Sequence, residues 1–313
     1  MNYGYLIKRA FDIVARRPYL WLLGFLAGGA TTFNFPNSNY SRPTASGAYH
    51  GPNWAVLQNF WNDNWLWIAG ILVFVAILGI VLFVLGCIAA GGVIHAAVEH
   101  DAGHEYRLGK AWRAGYATAW RIAGLRLLTF VLAILPGLLV GALVLAAVAG
   151  ATSSAAAGLS FGLLAAMASL VSIAFWLALG VSYELAKRLI VLEDGRVAES
   201  LRNGFGMIRR HFKEVVFGWL ILIALSIGVG IAMVVLAAVV AIPAVALGFG
   251  SWAIGGATGL IVIGSFAAVF ALGVLLAAHA AYSSYSSVYW TLLFRSIRTL
   301  PEPTARGAIV PAA

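Results

Sequence analysis

The chain has 313 residues, of which 62% are hydrophobic and only 10% charged, with 35 glycines and a formal net charge of +9. A soluble domain cannot hide so much apolar surface, and a disordered chain does not carry it, so both classes are excluded. The single cysteine, Cys87, lies inside an apolar run, which excludes a disulfide framework and a thiolate metal cluster.

The N-terminus reads MNYGYLIKRAFDIVARRPYLWLLGFLAGG. Four basic residues, Lys8, Arg9, Arg16 and Arg17, precede a short apolar run from about Pro18 to Phe33. Signal peptides and membrane-surface helices both begin this way. The basic stretch is long, amphipathic and carries Asp12, so a retained helix is expected, lying on the inner leaflet until Pro18. A polar segment, 34–64, rich in Asn, Ser, Gly and Trp, comes next. Five longer apolar runs follow: Trp65–Ile94, Ile122–Ala149, Leu159–Tyr183, Val215–Leu247, and Ile254 to about Tyr282. Each has the roughly 20 residues that a bilayer crossing needs. Pro136 and Pro243 stand inside two of these runs, where each removes a backbone donor and favours a kink. The expected fold is an all-α integral membrane protein with six transmembrane helices.

Charge placement sets the expected orientation. Of the 20 Lys and Arg residues, 19 fall at the N-terminus, at or beside the second–third and fourth–fifth connections, or at the C-terminus. Only Arg42 lies on the other side. The positive-inside rule then puts both termini in the cytoplasm, 34–64 outside as a long loop, and 301–313 as a flexible cytoplasmic tail. Trp54, Trp61, Trp65 and Trp67 stand where an interfacial aromatic belt is expected.

One device recurs three times. Ile7, Ala10, Phe11 and Val14 share their spacing with Leu108, Ala111, Trp112 and Gly115, and with Leu201, Gly204, Phe205 and Ile208. At about 100° per residue each set shares one helix face. Charges fall opposite: Lys8, Arg9 and Arg16; Lys110, Arg113 and Arg121; Arg202, Arg209, Arg210 and Lys213. The pattern predicts three modules within one membrane domain, about 1–100, 101–195 and 196–300, each an amphipathic cytoplasmic helix followed by a membrane hairpin. Such helices lie in the headgroup plane with apolar faces down and basic faces toward anionic lipid. These basic residues, with Arg17, are the candidate lipid-binding set. Their spread along membrane boundaries, without a recognition motif, argues against nucleic acid as a partner.

Candidate chemistry is sparse. Gly158-Leu-Ser160-Phe-Gly162 matches a nucleophile-elbow pattern, but an elbow needs a strand-to-helix turn and no strand is expected. An intramembrane serine protease would pair Ser160 with His279, yet helix rise separates them by roughly 30 Å, and nucleophile and base must be within hydrogen-bond reach. Gly158 and Gly162 read better as small-residue helix packing. His95, Glu99, His100, His104 and Glu105 crowd the second–third connection, but Asp101-Ala-Gly103 breaks that helix, so a solvated connector is expected rather than a metal site. Glu184 and Lys187, one turn apart, are expected to pair at the cytoplasmic surface. His279, Tyr282 and Ser283 head a polar stretch that either lines a cavity or hydrogen-bonds between helices. No cofactor motif is present.

With Tyr5–Gly24, Gly91–Gly115, Glu184–Phe212 and Tyr289–Arg295 in view, the chain resembles a family of uncharacterised bacterial six-span proteins. These are similar to the membrane domain attached to some glycerophosphoryl diester phosphodiesterases. The resemblance supports the architecture and transfers no catalytic residue, because the phosphodiesterase activity of such fusions resides in a separate barrel domain; a bacterial inner-membrane location is expected. The expectation is a non-enzymatic accessory or scaffold subunit that binds anionic lipid and packs against other membrane proteins or a second copy. The alternatives are a transport component with a pathway near His279 and, last, an intramembrane enzyme.

Overall fold

The structure, a computed structural model, describes residues 2–29 and 54–299. It is helical throughout, with no strand among those residues. Seven helices follow in order: α1 Tyr3–Arg16, α2 Tyr19–Gly29, α3 Trp54–Asp101, α4 Leu108–Ser153, α5 Ala155–Glu193, α6 Val197–Arg210 and α7 Phe212–Arg298. Among the described residues five stretches are long and apolar enough to cross a membrane: Trp61–Asp101, Leu108–Ser153, Ala155–Glu193, Phe212–Leu247 and Ile261–Arg298. Tyr19–Gly28 is apolar but shorter. This is the make-up of an all-α, multi-pass membrane protein. Most of the 34–64 segment, with Arg42, and the 301–313 tail lie outside the described residues.

The helix ends follow from local chemistry. Asn2 caps α1 by accepting from the Tyr5 N–H at 3.1 Å, and Arg17, held away from helical geometry by Pro18, ends it. Gly103, at φ +82°, closes α3 while the His104 N–H reaches back to the Glu99 carbonyl. Ser154 separates α4 from α5 and caps α5 through the Ala157 N–H. The long α7 is broken at Gly256, whose φ +60° and ψ −145° only glycine adopts readily. Pro136 and Pro243 stand within continuous helix, so the break in α7 lies beyond the proline.

Burial divides the molecule sharply. Along α3 the residues from Leu66 to Val84 are almost all exposed, whereas every residue from Gly86 to Ile94 is buried. In α4 no residue after Leu125 is buried, and in α7 none described between Ile223 and His279 is. The core therefore occupies one end, which carries the basic residues. One cluster joins Leu6 and Ala10 of α1, Leu20 and Leu23 of α2, and Tyr289 and Leu293 of α7. A second joins Cys87 and Ile94 of α3, Ile122 and Leu125 of α4, and Ala186 and Ile190 of α5. Beyond this end the helices continue as bare apolar shafts.

Two expectations about the amphipathic segments need revision. The second is not a separate surface helix: Leu108–Ser153 is one helix, because nothing like Arg17-Pro18 interrupts it before Ile122. The buried faces of α1 (Leu6, Ala10, Ile13, Val14) and α6 (Ser200, Leu201, Gly204) dock on the protein itself instead of lying against lipid. The small residue of each copy, Ala10, Ala111 or Gly204, is buried at a helix contact. A Cβ on Gly204, for example, would stand 2.8 Å from the Ser182 carbonyl oxygen.

Candidate functional site

Where the packed end gives way to the shafts, α2, α3, α4, α5 and α7 line an open cavity of about 630 Å³. On the shaft side its walls are apolar: Phe83, Leu127, Phe130 and Ala133. The other side is polar. Arg126 comes from α4, Tyr183, Glu184 and Lys187 from α5, and His279, Tyr282 and Ser283 from α7.

Arg126 is held from two directions. Its Nε donates to the Tyr183 hydroxyl at 3.1 Å and its Nη2 to the Ala27 carbonyl at 3.0 Å, while Phe83 presents its ring 5.8 Å from the guanidinium carbon. The remaining nitrogen, Nη1, is buried without a hydrogen-bond partner. Among the described residues no carboxylate pairs with Arg126.

Glu184 and Lys187 form the expected pair, Oε1 to Nζ at 2.7 Å, but within the cavity wall. Glu184 also accepts from Arg188 Nη1 through Oε2 at 2.5 Å. Arg188 is fully buried, donates through Nη2 to the Ser287 carbonyl at 3.1 Å, and lies 6.0 Å from the Trp290 ring. It ties α5 to α7. One carboxylate thus serves two cations, and Arg126 adds a third positive charge nearby.

His279, Tyr282 and Ser283, which the sequence leaves between lining a cavity and bonding between helices, stand in its wall. The polar stretch also packs helices: Ser283 Oγ donates to the Gly24 carbonyl at 2.8 Å and Ser284 Oγ to the Leu20 carbonyl at 2.6 Å. Ser160 lies near the α4–α5 turn, donating to its own helix at the Ala157 carbonyl, and takes no part in the cavity. Gly158 packs closely on Ala151, whereas Gly162 meets nothing. His100 engages the Tyr19 hydroxyl at 2.5 Å, and His104 pairs with Glu99 at 2.9 Å. No group of three His, Cys, Asp or Glu among the described residues is arranged to hold a metal ion.

Of the basic residues assigned to lipid, Arg9 and Arg121 are engaged by carboxylates. Arg9 Nε meets Asp101 at 3.2 Å, in a network that Arg295 joins from α7 at 2.5 Å, and Arg121 meets Asp194 at 2.9 Å. Lys8, Arg16, Arg17, Lys110, Arg113, Arg202, Arg209, Arg210 and Lys213 are exposed at the packed end. The sequence reading passes over Arg126. It falls just inside the third apolar run, and an arginine within such a run was the signal that could have found it.

Residues 18–298 match the model of a protein family throughout. The chain belongs to DUF7544, a family of unknown function. The DUF7544 match takes in every residue that lines the cavity and leaves out α1. No curated protein and no solved structure matches the chain significantly.

Proposed function

We propose that this DUF7544 protein is a non-enzymatic accessory or scaffold subunit of the bacterial inner membrane. Its basic end faces the cytoplasm and anionic lipid, and its apolar shafts receive other membrane helices. The observation that carries this reading is the bareness of those shafts. Of the most apolar stretch in Leu108–Ser153 and in Ile261–Arg298, none is buried within the chain. A helix bundle that served only itself would pack its spans together along their length.

The same reading takes six spans, with α2 as the first, in three modules. The likeness to the membrane domain of glycerophosphoryl diester phosphodiesterases belongs to it. The exposed basic residues within about a Debye length of the shafts, such as Lys213, support the lipid contact, each worth about 1 kcal/mol near an anionic leaflet. A transport component is the second reading, favoured by the charged cavity beside His279. Gentle purification from the native membrane separates the two. A stoichiometric membrane partner, or a second copy bound through the shafts, is the expected result. A lone monomer that moves a solute across proteoliposomes would overturn it.

A further inference from the structure

The exposed apolar bands give a placement of the bilayer. Taking 1.5 Å per residue, Leu66–Val84 of α3 covers about 27 Å, Leu127–Val148 of α4 about 32 Å and Leu159–Leu177 of α5 about 27 Å. The hydrocarbon core is about 30 Å thick. Three helices thus present a band of one bilayer's thickness, and on each the band ends close to a residue of the cavity wall. Phe83 stands at the end of the α3 band, Arg126 directly beside the α4 band, and Tyr183 about 9 Å past the α5 band. The cavity lies at the level of lipid headgroups, with its apolar wall toward the hydrocarbon.

The charges at that level are out of balance. Arg126, Lys187 and Arg188 face a single carboxylate, Glu184, and the buried Nη1 of Arg126 has no acceptor. A guanidinium donor left unmade in a buried place is costly, and its planar fork suits an oxyanion. Tyr183 and Ala27 already orient that fork, so an incoming acid group would meet it with little reorganisation. A space of about 630 Å³ is in the range of small-molecule sites and can take a headgroup with the first part of a chain.

We infer that this cavity binds a membrane amphiphile with an anionic acid headgroup, Arg126 and Lys187 contacting the acid and Phe83, Leu127, Phe130 and Ala133 the chain. This site is separate from the exposed basic helices, and it stands whether or not the scaffold reading does.

The test uses the full chain, purified in a neutral detergent, delipidated, and examined by native mass spectrometry. The probes are phosphatidylglycerol, phosphatidylcholine and inorganic phosphate. Wild type is expected to hold one phosphatidylglycerol at least tenfold more tightly than phosphatidylcholine. Arg126→Gln should lose about tenfold in affinity for phosphatidylglycerol, the loss of one charged hydrogen bond. Ala133→Phe fills the apolar wall without altering charge, and should weaken phosphatidylglycerol while sparing any phosphate binding. Its thermal melt, compared with wild type, checks that it folds. Arg107→Gln with Arg196→Gln, exposed and outside both the cavity and the candidate lipid-binding set, should change nothing, which separates this site from general attraction to anionic lipid. Equal binding of the two lipids overturns the proposal, as does phosphatidylglycerol binding that neither Arg126→Gln nor Ala133→Phe reduces. Binding of inorganic phosphate alone, dependent on Arg126, also overturns it, since the ligand would then be a free anion.

Discussion

The packed end and the bare shafts are built from the same residue types, yet one is a core and the other is not. Both are rich in Leu, Ala, Val and Gly. What separates them is how closely backbones approach. A Cβ on Gly115 would lie 2.0 Å from the Ile88 carbonyl oxygen, one on Gly92 2.8 Å from that of Ala111, and one on Gly24 1.9 Å from Ser284 Oγ. In the shafts, Gly70, Gly79, Gly141, Gly228, Gly230 and Gly273 have nothing within 4 Å of the same position, and close approach at Gly150 and Gly158 is confined to the α4–α5 turn. Apolarity cannot drive helices together in lipid, whose tails are as apolar as leucine, so close approach and polar ties must do it. The packed end has both.

The largest effect should come from its buried charge. Arg188→Met leaves Glu184 with Lys187 alone and removes the tie to the Ser287 carbonyl. The loss is of two charged hydrogen bonds, each worth about 1.5–3 kcal/mol. The variant should lose its monodisperse elution in mild detergent, and Arg188→Lys, which keeps the charge, should lose less. An Arg188→Met protein that melts like wild type would show that the α5–α7 contact holds without the ion pair.

Next in size is Gly115→Val, which drives a branched side chain into the α3 backbone. Overpacking of this kind costs about 1–3 kcal/mol. The matched change in a shaft, Gly230→Val, meets no neighbour and should leave the melting temperature nearly unchanged. Equal destabilisation at the two sites would mean that the shafts are packed after all, by a second copy or a partner.

The difference between the two ends was only partly legible in the sequence. Hydrophobic runs and the basic residues beside them mark the membrane segments, because length and charge act there without regard to neighbours. Ala10, Ala111 and Gly204 were legible as a shared small position on three helix faces. Whether such a face meets lipid or protein was not, since periodicity describes the helix and not what covers it; α1 and α6 dock on the protein. Continuity of Leu108–Ser153 was equally hidden, because an amphipathic start and an apolar continuation read as two objects when the helix between them is unbroken. At the cavity the sequence singles out the polar stretch His279, Tyr282 and Ser283, all on one segment, without separating a cavity from helix packing. Arg126, Tyr183 and Lys187 reach it from other helices, and that convergence is a tertiary fact.

A smaller effect is expected from Asp101→Asn, which removes the carboxylate that joins Arg9 of α1 to Arg295 of α7. All three side chains are partly exposed, so solvent screening holds the loss to about 1 kcal/mol or less. It should shrink further in high salt. A loss that persists at high salt would instead point to misalignment of the hydrogen bond from Arg9 Nη2 to the Asp101 carbonyl, whose atoms the substitution leaves in place.

The smallest effect distinguishes basic residues by their distance from the bilayer. On α7, Lys213 stands about 10 Å along the helix from Leu220, the first strongly exposed aliphatic residue of that shaft. On α4, Lys110 stands about 25 Å from Leu127, where the exposed band begins. The attraction of an anionic leaflet fades within a Debye length of about 8–10 Å. Lys213→Gln should therefore reduce the extra thermal stability that phosphatidylglycerol nanodiscs give over phosphatidylcholine ones, by the equivalent of under 1 kcal/mol. Lys110→Gln should leave that difference unchanged. If instead the two substitutions cost the same, the second amphipathic segment lies against the leaflet as its sequence alone implies, and α4 must bend toward the membrane well before Ile122.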